Sequence, residues 1–246
     1  MSDTFLYKYL GALTGAAITL GSVFSLAAID SKAKVEMGAL ELLSLPEKNR
    51  EAVVFSSKNQ PQLGRDLMVL AFDKNQQMQT RWKALTLGAL VQGSASKENL
   101  QKALKSDVWF MRNAALLAMQ RIFPAESAKS AQSLLADKAL VVRSAAVSAL
   151  ANRLDADSRE VLWGELDRPY NFKNKESLWI RSQILEALAK SPDKRELPIF
   201  AKTLRDKDTR LHYFSVIALE KISNKKLGTL HSSLAEKRDL WLKAKL

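Results

Sequence analysis

A basic residue returns along this chain at a fixed interval, each time at the head of an apolar helical stretch. Stepping back from Arg143 by 31 residues at a time meets Arg112, Arg81 and Arg50. Stepping forward, Arg181 follows after 38 residues, then His212 and Lys243 after 31 each. The clearest copy runs from Asp137 to Arg153, where Val141, Val142, Ala145, Ala146, Ala149 and Leu150 form one broad apolar stripe on a helix. Asp206–Leu219 aligns with Asp137–Leu150 without a gap and puts His212 where Arg143 stands. Such a period predicts an array of helical hairpins, each burying its apolar face only by stacking on its neighbours. Alanine on the buried face permits close approach, so Ala145, Ala146 and Ala149 are expected where units meet.

Asp137, Val142 and Arg143, followed by the alanine-rich helix, resemble the second helix of a HEAT repeat. The period near 31 is similar to the short HEAT-like repeats named after phycobilisome lyases, and the resemblance covers roughly residues 35–246. It implies an all-α fold, an α-solenoid of about six to seven stacked hairpins. It also implies a structural ladder between repeats through Arg81, Arg112, Asp137, Arg143, Arg181, Asp206 and His212. Arrays of this kind mostly bind other macromolecules, so the implied function is that of a non-enzymatic scaffold, contacting a protein along a concave or end surface.

Composition agrees with helix. The 246 residues are 47% hydrophobic, with nine glycines and six prolines, and the prolines fall between or at the starts of the expected helices. Cysteine is absent, which excludes disulfides, thiol nucleophiles and zinc–thiolate sites. With 38 Lys and Arg against 26 Asp and Glu, the net charge is +12, which favours an acidic partner or another polyanion. No run of five consecutive basic residues gathers that charge, so nucleic acid is the alternative partner rather than the leading one.

Tyr9–Ile29 carries no charge over 21 residues, between Lys8 and Asp30. At ~1.5 Å per residue a helix there would reach about 30 Å, the thickness of a bilayer core. Residues 1–30 are therefore expected to form an N-terminal apolar helix acting as a signal anchor. Two further readings stand beside it: a cleaved signal, since Ser25-Leu26-Ala27 resembles a small-x-small site, and a helix capping the array. The protein is expected to be membrane-anchored by residues 9–29 or exported.

The remaining helices are expected at 35–45, 47–57, 63–72, 77–91, 99–105, 108–122, 128–136, 159–166, 177–189, 198–204, 209–222, 226–235 and 240–245. The 38-residue step marks an insertion, best placed at Asp167–Lys175 and expected to be a loop. Its Tyr170 and Phe172 lie among Arg168, Lys173 and Lys175, a composition suited to contacting an acidic partner. The alternative has the two rings folded back on Trp163 or Trp179.

Motifs for chemistry are lacking. His212 and His231 belong to no metal-binding spacing, no glycine-rich phosphate loop occurs, and no serine sits in a nucleophile elbow. No cofactor is expected. Asp107, Trp109 and Arg112 resemble the Trp, Asp and Arg with which HEAT-like alkylpurine DNA glycosylases read damaged DNA, but the Asp and Arg also fit the ordinary repeat. Bilin lyases share the short repeat, without a lyase-specific residue to be found here.

Overall fold

The computed structural model describes residues 38–56 and 60–244. Tyr9–Ile29, and with it the expected anchor, lies outside the described residues. Among those described, no helix is long and apolar enough to cross a membrane.

The described chain is almost entirely helical. Two short helices, α1 (Ala39–Ser44) and α2 (Glu47–Ser56), precede five hairpins. These pair α3 (Pro61–Phe72) with α4 (Met78–Gln92), α5 (Lys97–Leu104) with α6 (Trp109–Ile122), and α7 (Pro124–Leu134) with α8 (Leu140–Ala151). Then come α9 (Ala156–Leu166) with α10 (Trp179–Lys190), and α11 (Leu197–Thr203) with α12 (Thr209–Ser223). A last helix, α13 (Leu234–Lys243), packs on α12. Within each pair the first helix packs on the second, and every second helix packs on the next one, α4 on α6, α6 on α8, α8 on α10 and α10 on α12.

The packing follows from the repeated apolar positions. Val142, Ala146 and Leu150 are fully buried, as are Ala84, Leu85, Ala115, Leu116, Ile184, Leu185, Ala218 and Leu219 at related places on the other second helices. Small residues at these contacts let neighbouring backbones approach. Gly88 shows how closely: a Cβ there would sit 2.9 Å from the Cβ of Leu67 on α3. The apolar interior forms two clusters, one from Ala39 to Met119 and one from Leu116 to Trp241, and α6 contributes to both.

Three local expectations need correction. Pro124 does not hold α7 back to residue 128: it is the first residue of that helix, where its missing N–H costs nothing. Residues 226–233 are not helical. Asn224 in the left-handed region (φ 51°) ends α12, Gly228 turns the chain at φ 92°, and a reciprocal Ser233–Glu236 capping box starts α13. The insertion, expected to be an irregular loop, makes one turn of 3-10 helix at Pro169–Asn171 and then a β-hairpin. Its strands β1 (Phe172–Lys173) and β2 (Glu176–Ser177) pair Phe172 with Ser177 and Lys173 with Glu176. Asn174 and Lys175 form the two-residue turn, both with positive φ (52° and 68°).

Candidate functional site

The recurring basic residue lies in the first turn of each second helix. Side chains on a helix lean toward its N-terminus, so this residue points back at the end of the preceding helix or at the turn that follows it. There it meets carbonyls with no helical partner, which carry partial negative charge. Arg81 Nε donates to the Ala71 carbonyl at 3.0 Å, and Arg112 reaches the Ser106 carbonyl at 2.7 Å. Arg143 donates to the Asp137 carbonyl at 2.8 Å, Arg181 Nε to the Leu166 carbonyl at 3.1 Å, and His212 Nε2 lies 2.8 Å from the Asp206 carbonyl. Arg50 is also buried, with the Leu43 carbonyl 3.5 Å away.

Two of these arginines also cross to the next hairpin, and both cross by 25 residues. Arg112 grips Asp137 with two bonds, Nε–Oδ2 at 2.6 Å and Nη2–Oδ1 at 2.7 Å. Arg181 grips Asp206 through Nη2–Oδ2 at 2.7 Å and Nη1–Oδ1 at 3.3 Å. Each aspartate is thus shared. Its carboxylate accepts from the previous hairpin's arginine and from the backbone N–H two residues on (Ala139, Asp208), while its carbonyl accepts from its own hairpin's Arg143 or His212. Burial alone would raise the Asp137 and Asp206 carboxyls; the bonds from Arg112 and Arg181 and from the backbone outweigh it and hold both below the ordinary carboxylate range.

The insertion changes one rung. Six residues before Arg181, where the cassettes of Arg143 and His212 have Asp137 and Asp206, stands Lys175, a cation. Arg143 therefore turns to the inserted segment, donating to the Tyr170 carbonyl at 3.1 Å with its guanidinium carbon 5.6 Å from the Tyr170 ring centre. It has no ion-pair partner among the described residues, and its buried Nε meets no acceptor. Burial pushes its pKa down, opposed by the charge of the nearby Glu165.

Glu165, itself buried, anchors the insertion. Its carboxylate accepts from the Tyr170 hydroxyl at 2.9 Å, and the Asn171 amide donates to its carbonyl at 2.8 Å. Burial, with Glu165 beside it, pushes the Tyr170 phenol up to about 12. Phe172 lies over Arg181, 4.6 Å from ring centre to guanidinium carbon, and the Ser177 hydroxyl accepts from the same guanidinium at 3.1 Å. Asp167 adds a bond to Arg181 at 2.6 Å. Burial would lower Arg181; Asp206 and Asp167 outweigh it and raise it above the ordinary guanidinium value.

The two loop aromatics thus meet the ladder arginines Arg143 and Arg181 in these contacts. Arg168, Lys173 and Lys175 are exposed, and Tyr170 keeps 37% of its surface in solvent. Of the glycosylase-like set, Arg112 is committed to Asp137, Asp107 is exposed, and Trp109 packs edge-on against Phe110.

A second series of polar links escapes a reading based on the basic residue alone. Trp82 Nε1 donates to Asn113 Oδ1 at 3.1 Å, and Asn113 donates on to the Val141 carbonyl at 3.4 Å. Gln183 spans back to the Ser144 carbonyl and the Ser148 hydroxyl. Trp82 and Asn113 are 31 residues apart, so the period itself was the available signal. Buried Glu196 accepts from Arg159 and Trp163, and the local signal for it was the Asp193-x-x-Glu196 capping-box spacing. Compared with known protein families and with curated proteins, the chain matches none.

Proposed function

We propose that residues 35–246 form an α-solenoid of HEAT-like hairpins acting as a non-enzymatic scaffold for an acidic protein partner. On this reading residues 1–30 hold it at a membrane or direct its export. The observation that carries the proposal is the series of second helices packed each on the next, joined by the arginine–aspartate rungs. An array built this way presents a long surface whose backbone is already ordered, so binding costs little conformational entropy. The inserted hairpin supplies Arg168, Lys173 and Lys175 as exposed cations, fixed in place through Tyr170 and Phe172. The excess of 38 basic over 26 acidic residues supports an acidic partner.

The test is to purify the full chain from detergent-solubilised membranes and identify what co-elutes. An acidic protein is expected, lost on changing Arg168, Lys173 and Lys175 to glutamate without a change in melting temperature. Co-eluting nucleic acid, retained in a salt-sensitive way, would overturn the reading. Resistance of the full chain to extraction by alkaline carbonate tests the anchor; a mature terminus at Ala28 or Ile29 would replace it with a cleaved signal.

A further inference from the structure

The turns between first and second helices share one chemistry along the array. Lys74, Lys105, Lys138 and Lys207 stand one in each of four such turns, and the fifth turn is the hairpin with Arg168, Lys173 and Lys175. All seven are exposed, and none of the lysines has an ion-pair partner among the described residues. Several acids of the same turns are already engaged: Asp137 by Arg112, Asp206 by Arg181, Asp208 by Arg210, and Asp73 in its own loop by Asn75 and Gln76. With three of these carboxylates paired to arginines, the edge presents more positive charge outward than its composition suggests.

Lys175 adds a second, independent observation. It occupies the second turn position of a two-residue hairpin, with φ 68°, where glycine is strongly preferred. Lysine there costs stability, and its ammonium has no described contact to offset that cost. Residues held in such conformations without a structural return concentrate at functional positions.

We propose that this turn edge binds an extended acidic peptide segment of the partner, running across the five hairpins. The inference rests on the stacked-hairpin reading above and names the surface and the shape of the ligand. Packed helices stand about 10 Å apart, so neighbouring turns repeat at roughly that interval. An extended chain covers ~10 Å in about three residues, so an acid at every third position would meet one turn after another. A narrow row, one cation per turn at Lys74, Lys105 and Lys138, two at Arg205 and Lys207 and three at the hairpin, suits a chain better than a flat anionic membrane. Exposed Asp107, Asp167 and Glu176 interrupt the row and disfavour a duplex, whose charge recurs about every 1.7 Å.

The experiment titrates the full-length protein in detergent against a fluorescent polyglutamate peptide of about 15 residues, enough to span ~50 Å when extended. Two triple variants carry the same charge change: Lys105→Gln, Lys138→Gln and Lys207→Gln on the edge, and Lys129→Gln, Lys190→Gln and Lys194→Gln elsewhere. The edge triple is expected to weaken binding about tenfold, as three exposed ion pairs each contributing a few-fold would give, and the other triple by less than about twofold. Lys175→Gly should weaken binding while raising the melting temperature. Equal loss from both triples, or unchanged binding in Lys175→Gly, overturns the assignment to this edge and leaves the acidic-partner reading standing. No binding of the peptide by the unmodified protein overturns both. Edge-dependent binding to duplex DNA or to phosphatidylglycerol vesicles, tighter than to the peptide, overturns the choice of ligand.

Discussion

The rungs at Arg112 and Arg181 and the rung at Arg143 begin from the same position in the repeat and end differently. In the first two a guanidinium meets a carboxylate 25 residues on, and charge and hydrogen bonds are matched together. In the third the equivalent acid is replaced by Lys175, and a nearly buried cation is served by two carbonyls and the face of a tyrosine, one nitrogen left over. The position in the repeat therefore dictates where the arginine goes, but not what it is worth. Its worth depends on whether the neighbouring hairpin supplies the countercharge.

The widest separation between the two kinds of rung is expected in unfolding by urea. Arg181→Met should cost about 3–5 kcal/mol, because it strands Asp206 and the Leu166 carbonyl. Arg143→Met should cost roughly 1 kcal/mol or less, since the loss of two carbonyl bonds is offset by removing a buried charge that no carboxylate hydrogen-bonds. Equal losses would erase the distinction. Next in size is a pH effect confined to the carboxylate rungs. Asp137 and Asp206 titrate lower folded than unfolded, so their contribution is present above the ordinary carboxylate value and is lost as pH falls through the lowered folded value. Asp137→Asn should cost about 2 kcal/mol near neutral pH and flatten the acid limb of the stability curve. An unchanged acid limb would show that Arg112 and Asp137 are not coupled in solution.

Smaller effects belong to the inserted rung. Tyr170→Phe should cost about 1 kcal/mol by leaving buried Glu165 short of a donor. The raised phenol means that this contribution holds below the ordinary tyrosine value and fades as pH climbs through about 12. Alkaline difference absorbance should show one tyrosine titrating late, and that step should vanish in the variant. Smallest is Lys175→Gly, a gain of about 1 kcal/mol from relieving a left-handed lysine. A loss would mean that the side chain has a contact the structure does not show.

The period was enough to place the second helices, because a basic residue followed by an alanine-rich stripe recurs at a spacing that only stacking explains. The ladder implied by the family resemblance named Arg112, Asp137, Arg181 and Asp206 without pairing them; the structure joins Arg112 to Asp137 and Arg181 to Asp206. What the period could not supply was local. The hairpin at 172–177 has strands of two residues each, too short for alternation to register, and a turn that uses Asn-Lys in place of Asn-Gly. The non-helical stretch before α13 reads as apolar and basic like a helix, and the left-handed Asn224 and Gly228 decide otherwise. Glu165 and Glu196 are buried through partners from elsewhere, the insertion for Glu165 and the preceding hairpin's Arg159 and Trp163 for Glu196.

Sharing each aspartate between two hairpins has a kinetic consequence. The ladder contacts join residues about 25 to 40 positions apart, so no rung must wait for distant parts of the chain to meet. Closing loops of this size costs little entropy, and every hairpin that forms presents half of the next rung already in place. Folding can then start at any regular rung and spread outward, and the step expected to be slowest is the one across Arg143. There the incoming hairpin must first fold its own insertion around Glu165 before it has anything to offer the waiting guanidinium.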